Sequence, residues 1–392
     1  MQPIKIMTVF GTRPEATKMA PVIRELTRHT NIRSVVCVTA QHRHMLDQAL
    51  EVFKIKPDYD LDIMRSGQGL SDILSLAVKG LEEIMTAEHP DLVMVHGDTS
   101  TTFAGAIAAF YQRIKVGHVE AGLRTYNKYQ PFPEEMNRQL TARIADLHFA
   151  PTALSRENLL KENIAADKIF ITGNTAIDCL SVTISDDYIF RLPLLNKIDY
   201  INKRVIAMTA HRRENLGRPL ESILRAVRDI IAENPDTELV YAVHLNPAVQ
   251  EPARRILAGN ERIHLIDPID MDDMHNLMSR SYLILTDSGG IQEEAPSLNT
   301  PVIVLRNVTE RPEGLAVGTL KLAGNEYDSV RRITSELLND HDEYDRLANA
   351  ANPFGDGKAA ERIVKAILYS FGLIEERPDD FDLCNRKRFN TD

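Results

Sequence analysis

Short β-branched runs alternate with amphipathic helical patterns along this chain, and no other feature restricts its fold as strongly. Residues 4–10, 34–39, 92–96, 116–119, 147–150 and 169–172 read as strands. Such alternation implies a parallel sheet covered by helices. Between two of these strands Leu70, Ile73, Leu74, Ala77, Val78, Leu81, Ile84 and Met85 keep the i, i+3, i+4, i+7 spacing. That spacing predicts one long helix with an apolar stripe for the core. The alternation weakens over residues 185–203, then restarts at 205–209, 239–243, 263–266, 283–286 and 302–305.

Two sequential α/β domains are therefore expected, over residues 1–173 and 174–357. A helix at 358–373 follows an Asn-Pro-Phe-Gly-Asp-Gly turn and is expected to return to the first domain. Residues 374–392 read as a mobile polar tail. A chain of 392 residues suits two domains at about 150 residues each. Its 46 Lys+Arg against 56 Asp+Glu give a net charge of −10, which argues against a nucleic-acid partner or a basic membrane-surface protein. Cys37, Cys179 and Cys384 lie far apart with no paired spacing, so neither a metal site nor a disulfide frame is expected. A reducing cytoplasmic compartment is the expectation. No apolar run reaches bilayer length, so membrane insertion is not expected either.

Ligands of open α/β sheets bind beyond the carboxyl ends of the strands, and reactive residues collect there. The expected strand ends carry Gly11-Thr12-Arg13, Gln41-His42, Gly97-Asp98 and Glu120-Ala121-Gly122 in the first half. The second half offers His211-Arg212-Arg213, His244, Asp287-Ser288-Gly289-Gly290 and a loop ending at Arg311. Two glycines between strand and helix let backbone N–H groups approach an anion, which makes Ser288, Gly289 and Gly290 a candidate phosphate cradle. The alternative is a glycine turn with Ser288 as a plain N-cap. Glu294, one turn on, is placed to accept from a ribose hydroxyl, and His211 and Arg311 are placed to meet diphosphate charge.

Acids mark the first half. Asp98, Glu120 and Glu134 come from separate segments, with Arg13 and Lys18 nearby in the first loop and helix. Carboxylates around one rim can be pushed to different pKa values, so that one acts as base and another as acid. Singly, Asp98 also suits an N-cap and Glu134 a helix start. Equally, no GxGxxG follows the first strand, and no P-loop or HExxH occurs.

Seven segments together carry a resemblance: Val-Phe-Gly-Thr-Arg-Pro-Glu-Ala-Thr-Lys-Met-Ala-Pro (9–21), Val-His-Gly-Asp-Thr (95–99), His-Val-Glu-Ala-Gly-Leu-Arg-Thr (118–125), Pro-Glu-Glu-Met-Asn-Arg (133–138), Thr-Ala-His-Arg-Arg-Glu-Asn (209–215), Thr-Asp-Ser-Gly-Gly-Ile-Gln-Glu-Glu-Ala-Pro (286–296) and Thr-Glu-Arg-Pro-Glu (309–313). The chain resembles the bacterial non-hydrolysing UDP-N-acetylglucosamine 2-epimerases over residues 5–373. The resemblance implies two Rossmann-like domains in a glycosyltransferase-B-like fold, with the cleft between them. It implies reversible conversion of UDP-GlcNAc to UDP-ManNAc through elimination of UDP and a 2-acetamidoglucal, with no cofactor and in a homodimer. It puts Asp98, Glu120, Glu134, Arg13 and Lys18 on the reaction side, and His211, Ser288, Gly289, Gly290, Glu294 and Arg311 on the UDP. His211 also joins the three acids as a candidate catalytic residue.

Gln41, His42, Gln68, Arg212 and His244 match a site where many bacterial members bind a second UDP-GlcNAc as activator. Departures from the family pattern are Ile269 and Met274 near the base, and His44 and Gly67 near the activator. Other expected classes are a 2-epimerase of another UDP-2-acetamido sugar, a glycosyltransferase, and a non-catalytic UDP-sugar sensor.

Overall fold

The structure is a computed structural model that describes residues 3–40, 43–65 and 67–382, without the side chains of His44 and Met45. The chain divides into two compact units, Met1–Val182 with Gly355–Asp392, and Thr183–Phe354.

In the first unit β1 (Ile4–Phe10), β2 (Ile32–Val38), β3 (Tyr59–Asp60), β4 (Leu92–His96), β5 (Lys115–Val119), β6 (Leu147–Ala150) and β7 (Ile169–Ile171) form one sheet. Its order is β3-β2-β1-β4-β5-β6-β7, with every neighbouring pair parallel. The order reverses between β1 and β4, where two loops diverge to opposite faces and leave a crevice at the carboxyl ends. One face of the sheet packs Phe10, Leu92 and Phe149 on Met19 and Leu26, and on Ile363 and Ile367 of the helix Ala359–Ser370. The other packs Met7, Val93 and Val95 on Ala77, Leu81 and Met85, the buried part of the stripe on the helix Leu70–Glu88. The returning helix thus belongs to the first unit.

The boundary expected after residue 173 is displaced. The helix Thr175–Thr183 lies largely in the first unit, because Asp178 accepts hydrogen bonds from the backbone N–H groups of Ala360 (2.8 Å) and Ala359 (3.2 Å), the open start of the returning helix. A second correction concerns the tail. Over residues 375–382 it docks on β7: Asp380 accepts from Ile171 N–H at 2.8 Å, and Phe381 N–H donates to Ile171 C=O at 2.6 Å. Arg377 donates to the carbonyls of Asp167 and Ile169 and lies 4.2 Å over the Phe170 ring. An edge strand exposes unpaired N–H and C=O groups, and this segment satisfies them.

The second unit contains β8 (Arg204–Thr209), β9 (Thr237–Ala242), β10 (Ile263–Ile266), β11 (Leu283–Thr286), β12 (Val302–Val304) and β13 (Leu320–Leu322). They run in the order β10-β9-β8-β11-β12-β13, again all parallel, and the order reverses between β8 and β11. Residues 185–203 form no strand, yet Phe190 and Leu195 are buried in this core beside Val205 and Leu277. The two short strands β3 and β13 carry too few residues to show a period. Among the described residues no helix is long and apolar enough to cross a membrane.

Candidate functional site

In the first unit the loop after β1 is fixed by a carboxylate. Thr12 precedes the helix Arg13–Leu26, and Glu15 at its third position reaches back as in a capping box. Buried Glu15 accepts through Oε2 from Gly11 N–H (3.1 Å), Thr12 N–H (2.9 Å) and the Thr12 hydroxyl (2.8 Å). Through Oε1 it accepts from the hydroxyls of Thr99 (2.7 Å) and Thr102 (3.1 Å), beyond β4. One side chain therefore joins the two loops that flank the reversal of strand order. Gly11 fits tightly there: a Cβ would lie 2.1 Å from Thr39 Oγ1 and 2.5 Å from Thr101 Oγ1. Arg13, half-buried, has no hydrogen-bond partner among the described residues.

Asp98 does not cap the following helix. Thr99 does, its hydroxyl accepting from Thr102 N–H at 3.1 Å, while the Asp98 carboxylate pairs with the Arg138 guanidinium. Asn137 donates to the Asp98 carbonyl at 2.9 Å, so the helix Glu134–Ile144 grips the loop after β4. Glu134 opens that helix, half-buried and without a hydrogen-bond partner among the described residues. Its neighbour Glu135 is fully buried and accepts from the N–H groups of Thr125 (3.0 Å) and Tyr126 (3.1 Å).

Glu120 follows β5 in a left-handed backbone conformation, φ 62°, unusual for a residue with a Cβ. Its Oε2 pairs with the Lys18 ammonium and lies 3.6 Å from His96 Nε2. Burial alone would raise this carboxyl; the Lys18 charge and the His96 ring outweigh it and hold Glu120 well below the usual carboxylate range.

In the second unit the reversal lies between the loops after β8 and β11. Asp287, fully buried, accepts through Oδ2 from the N–H groups of His211 and Arg212, both at 2.8 Å, and from Asn215 at 3.0 Å. This fixes His211 and Arg212 beside the start of the helix Gly289–Glu294. Ser288 makes no side-chain cap, so its hydroxyl is not used as the plain N-cap weighed above. A Cβ on Gly289 would lie 3.7 Å from Arg311 Nη2 and 3.9 Å from Arg212 Nη2, so two guanidinium groups converge over the glycines. Arg311 is itself held by the buried Glu293. Burial lowers the His211 pKa, with Asp287 opposing and His244 and Arg212 adding to the depression. The His211 and His244 rings stack at 5.2 Å. Glu294 lies 3.4 Å from Nε2 of buried His275, whose Nδ1 bonds the Thr183 hydroxyl at 2.7 Å.

Gln68 uses its amide locally, accepting from Arg65 N–H (2.7 Å) and donating to Ile63 C=O (2.8 Å). Gln41 and His42 lie outside the described residues. Ile269 and Met274 are half-buried against the second unit's core.

A family model described as UDP-N-acetylglucosamine 2-epimerase matches residues 24–368. The UDP-N-acetylglucosamine 2-epimerase of Bacillus subtilis is 55% identical over 381 residues, covering 97% of this chain and 99% of its own. The chain belongs to the UDP-N-acetylglucosamine 2-epimerase family. A 2-epimerase of Escherichia coli K12 is 51% identical over 370 residues, 93% of this chain and 98% of its own. A solved 2-epimerase of Neisseria meningitidis, bound to UDP-GlcNAc, is 48% identical with a TM-score of 0.82, over 93% of this chain and all of that one. A Staphylococcus aureus protein solved with UDP is 53% identical with a TM-score of 0.85, over 97% and 100%. The fold is the glycosyltransferase-B-like class of that family, two Rossmann-like units.

Within this family fold, the sequence shows no holding role for the residues that fix the candidates, although Asp287 is among its strand-end residues. Glu15, Arg138 and Asp287 stand inside the quoted segments, yet their partners are distant in sequence. Only Glu15 left a local signal, the Thr-x-x-Glu spacing of a capping box.

Proposed function

We propose that this chain catalyses the reversible epimerisation of UDP-GlcNAc to UDP-ManNAc at C2. The observation that carries this is the division of chemistry between two β-order reversals. The first unit gathers acids with matched cations, and the second gathers guanidinium groups and glycine N–H groups. A nucleotide sugar has two chemically distinct parts, and each unit carries the chemistry for one of them.

C2–H is a weak acid, so its removal is coupled to breaking the C1–O bond, with the electron pair leaving on the diphosphate. Arg311, Arg212 and the N–H groups of Gly289 and Gly290 meet that charge, and His211 contributes when protonated. Ser288 donates to a phosphate oxygen and Glu294 accepts from ribose. UDP and 2-acetamidoglucal result. Protonation of the glucal at C2 from the opposite face, with UDP re-added at C1, gives the epimer. Asp98, Glu120 and Glu134 supply base and acid for the two faces, with Arg13 and Lys18 balancing their charge. Each positioned group contributes roughly 10²–10⁴-fold.

Activation by a second UDP-GlcNAc rests on Arg212 and His244, since Gln68 is engaged within its own loop. A homodimer in the cytoplasm, supplying ManNAc for surface polysaccharide, belongs to the same proposal. Cys37 and Cys179 are buried thiols, neither of them in a disulfide among the described residues, which supports a reducing compartment. The test is Asp98→Asn with UDP-GlcNAc as substrate. Epimerisation falls at least about 10²-fold while UDP binds within threefold of wild type; full activity would remove Asp98 from the mechanism. A parallel assay with a diacetamido uronate decides the sugar class.

A further inference from the structure

His96 closes β4 with 3% of its surface exposed. Neither ring nitrogen has a hydrogen-bond partner among the described residues, a state that costs a buried polar group on the order of 1–3 kcal/mol. Its neighbour in the sheet is anchored through one ring nitrogen: His118 Nε2 bonds the Gly97 carbonyl at 2.7 Å, while its Nδ1 has no partner among the described residues. His96 has no such anchor. Its backbone is pinned by the Thr102 hydroxyl, which donates to the His96 carbonyl, and its Nε2 stands 3.6 Å from Glu120 Oε2. That separation is just beyond a hydrogen bond, and contacts of this kind commonly tighten only in the reacting complex.

Glu120 is aimed from its own backbone, whose left-handed φ costs about 1–2 kcal/mol. The Lys18 ammonium from the helix Arg13–Leu26 and the ring from β4 both address Oε2, so Oε1 is the oxygen that can face a reacting group. The charged and titratable groups bearing on the pair are Lys18, and His118 from β5.

We propose that His96 is a positioning residue for Glu120, donating from Nε2–H to Oε2 in the reacting complex so that Oε1 is oriented for proton transfer at C2. The proposal rests on the reaction-side role given to Glu120 above. A proton arriving at Oε1 leaves Oε2 a carbonyl oxygen, which still accepts from His96. No proton leaves the ring.

The experiment compares His96→Leu, which removes the donor, with His96→Gln, which keeps an N–H near the Nε2 position. With UDP-GlcNAc, His96→Leu is expected to lower kcat about 10–100-fold, with KM and UDP affinity within threefold and unfolding no easier. His96→Gln is expected to recover kcat to within threefold of wild type. Leucine at wild-type rate, or glutamine as slow as leucine, overturns the proposal. Nitrogen NMR of the histidine side chains gives a readout that needs no turnover: Glu120→Gln should move the His96 Nε2 resonance and leave that of His264 in place. An unmoved resonance overturns the pairing. A wild-type protein that makes no UDP-ManNAc but shows the NMR response would instead overturn the proposed function alone.

Discussion

Asp287 holds His211 at two points: Oδ2 accepts the His211 backbone N–H at 2.8 Å, and Oδ1 lies 3.7 Å from the ring Nδ1. Oδ1 has no hydrogen-bond partner among the described residues. One buried carboxylate thus fixes where the ring stands and favours its charged form against the burial that opposes it.

Asp287→Ala is expected to cost about 3 kcal/mol, because it strands three N–H donors that now share one oxygen. UDP affinity should fall at least about tenfold, equivalent to roughly 1.4 kcal/mol. Urea unfolding and titration calorimetry measure both, and a variant that matches wild type in each would deny Asp287 this role.

Glu15→Ala should be as damaging in the first unit, about 3 kcal/mol, since the N–H groups of Gly11 and Thr12 and the hydroxyls of Thr12 and Thr99 lose their acceptor, while the Thr102 hydroxyl keeps the His96 carbonyl. Gly11→Ala should separate Thr39 from Thr101, whose hydroxyls bond at 2.8 Å, at a cost of about 1–3 kcal/mol. Thermal unfolding that stayed within one degree of wild type for both would contradict the account of this loop.

Acid should destabilise the chain above the carboxylate range. Burial depresses His118 to about 3 and His148 to about 4, so an unfolded chain binds two protons between pH 6 and 4 that the folded one refuses. Asp178 opposes with one proton, because burial raises its carboxyl to about 6. Stability therefore falls as pH drops, by roughly 1.4 kcal/mol per pH unit in that window. His148→Leu should flatten the slope, and urea midpoints between pH 6 and 4 that do not change in wild type would contradict the sign.

Ending the chain after residue 376 should expose Phe170 and the edge of β7 and cost roughly 2 kcal/mol, with aggregation on heating. Unchanged unfolding and light scattering would make the docked segment dispensable.

What the sequence disclosed follows from range. The strands at 92–96, 147–150, 263–266 and 283–286 are read to the residue, because a buried parallel strand is a short apolar run cut off by polar loop residues. The candidate residues were legible because carboxyl strand ends are where such sheets bind. Which carboxylate each cation meets was not. Lys18 to Glu120 and Arg138 to Asp98 join segments far apart in the chain, and only strand order brings them together. The docked tail was missed for the same reason: mixed charges read as solvated until β7 presents an unpaired edge.

The proposed chemistry is tested most directly by incubating the protein with UDP-GlcNAc in D₂O and following C2 by NMR. Deuterium should enter C2 of the UDP-ManNAc formed and of the UDP-GlcNAc recovered, with traces of UDP and 2-acetamidoglucal released. Epimerised product that keeps protium at C2 would contradict removal of the C2 proton by this constellation of acids.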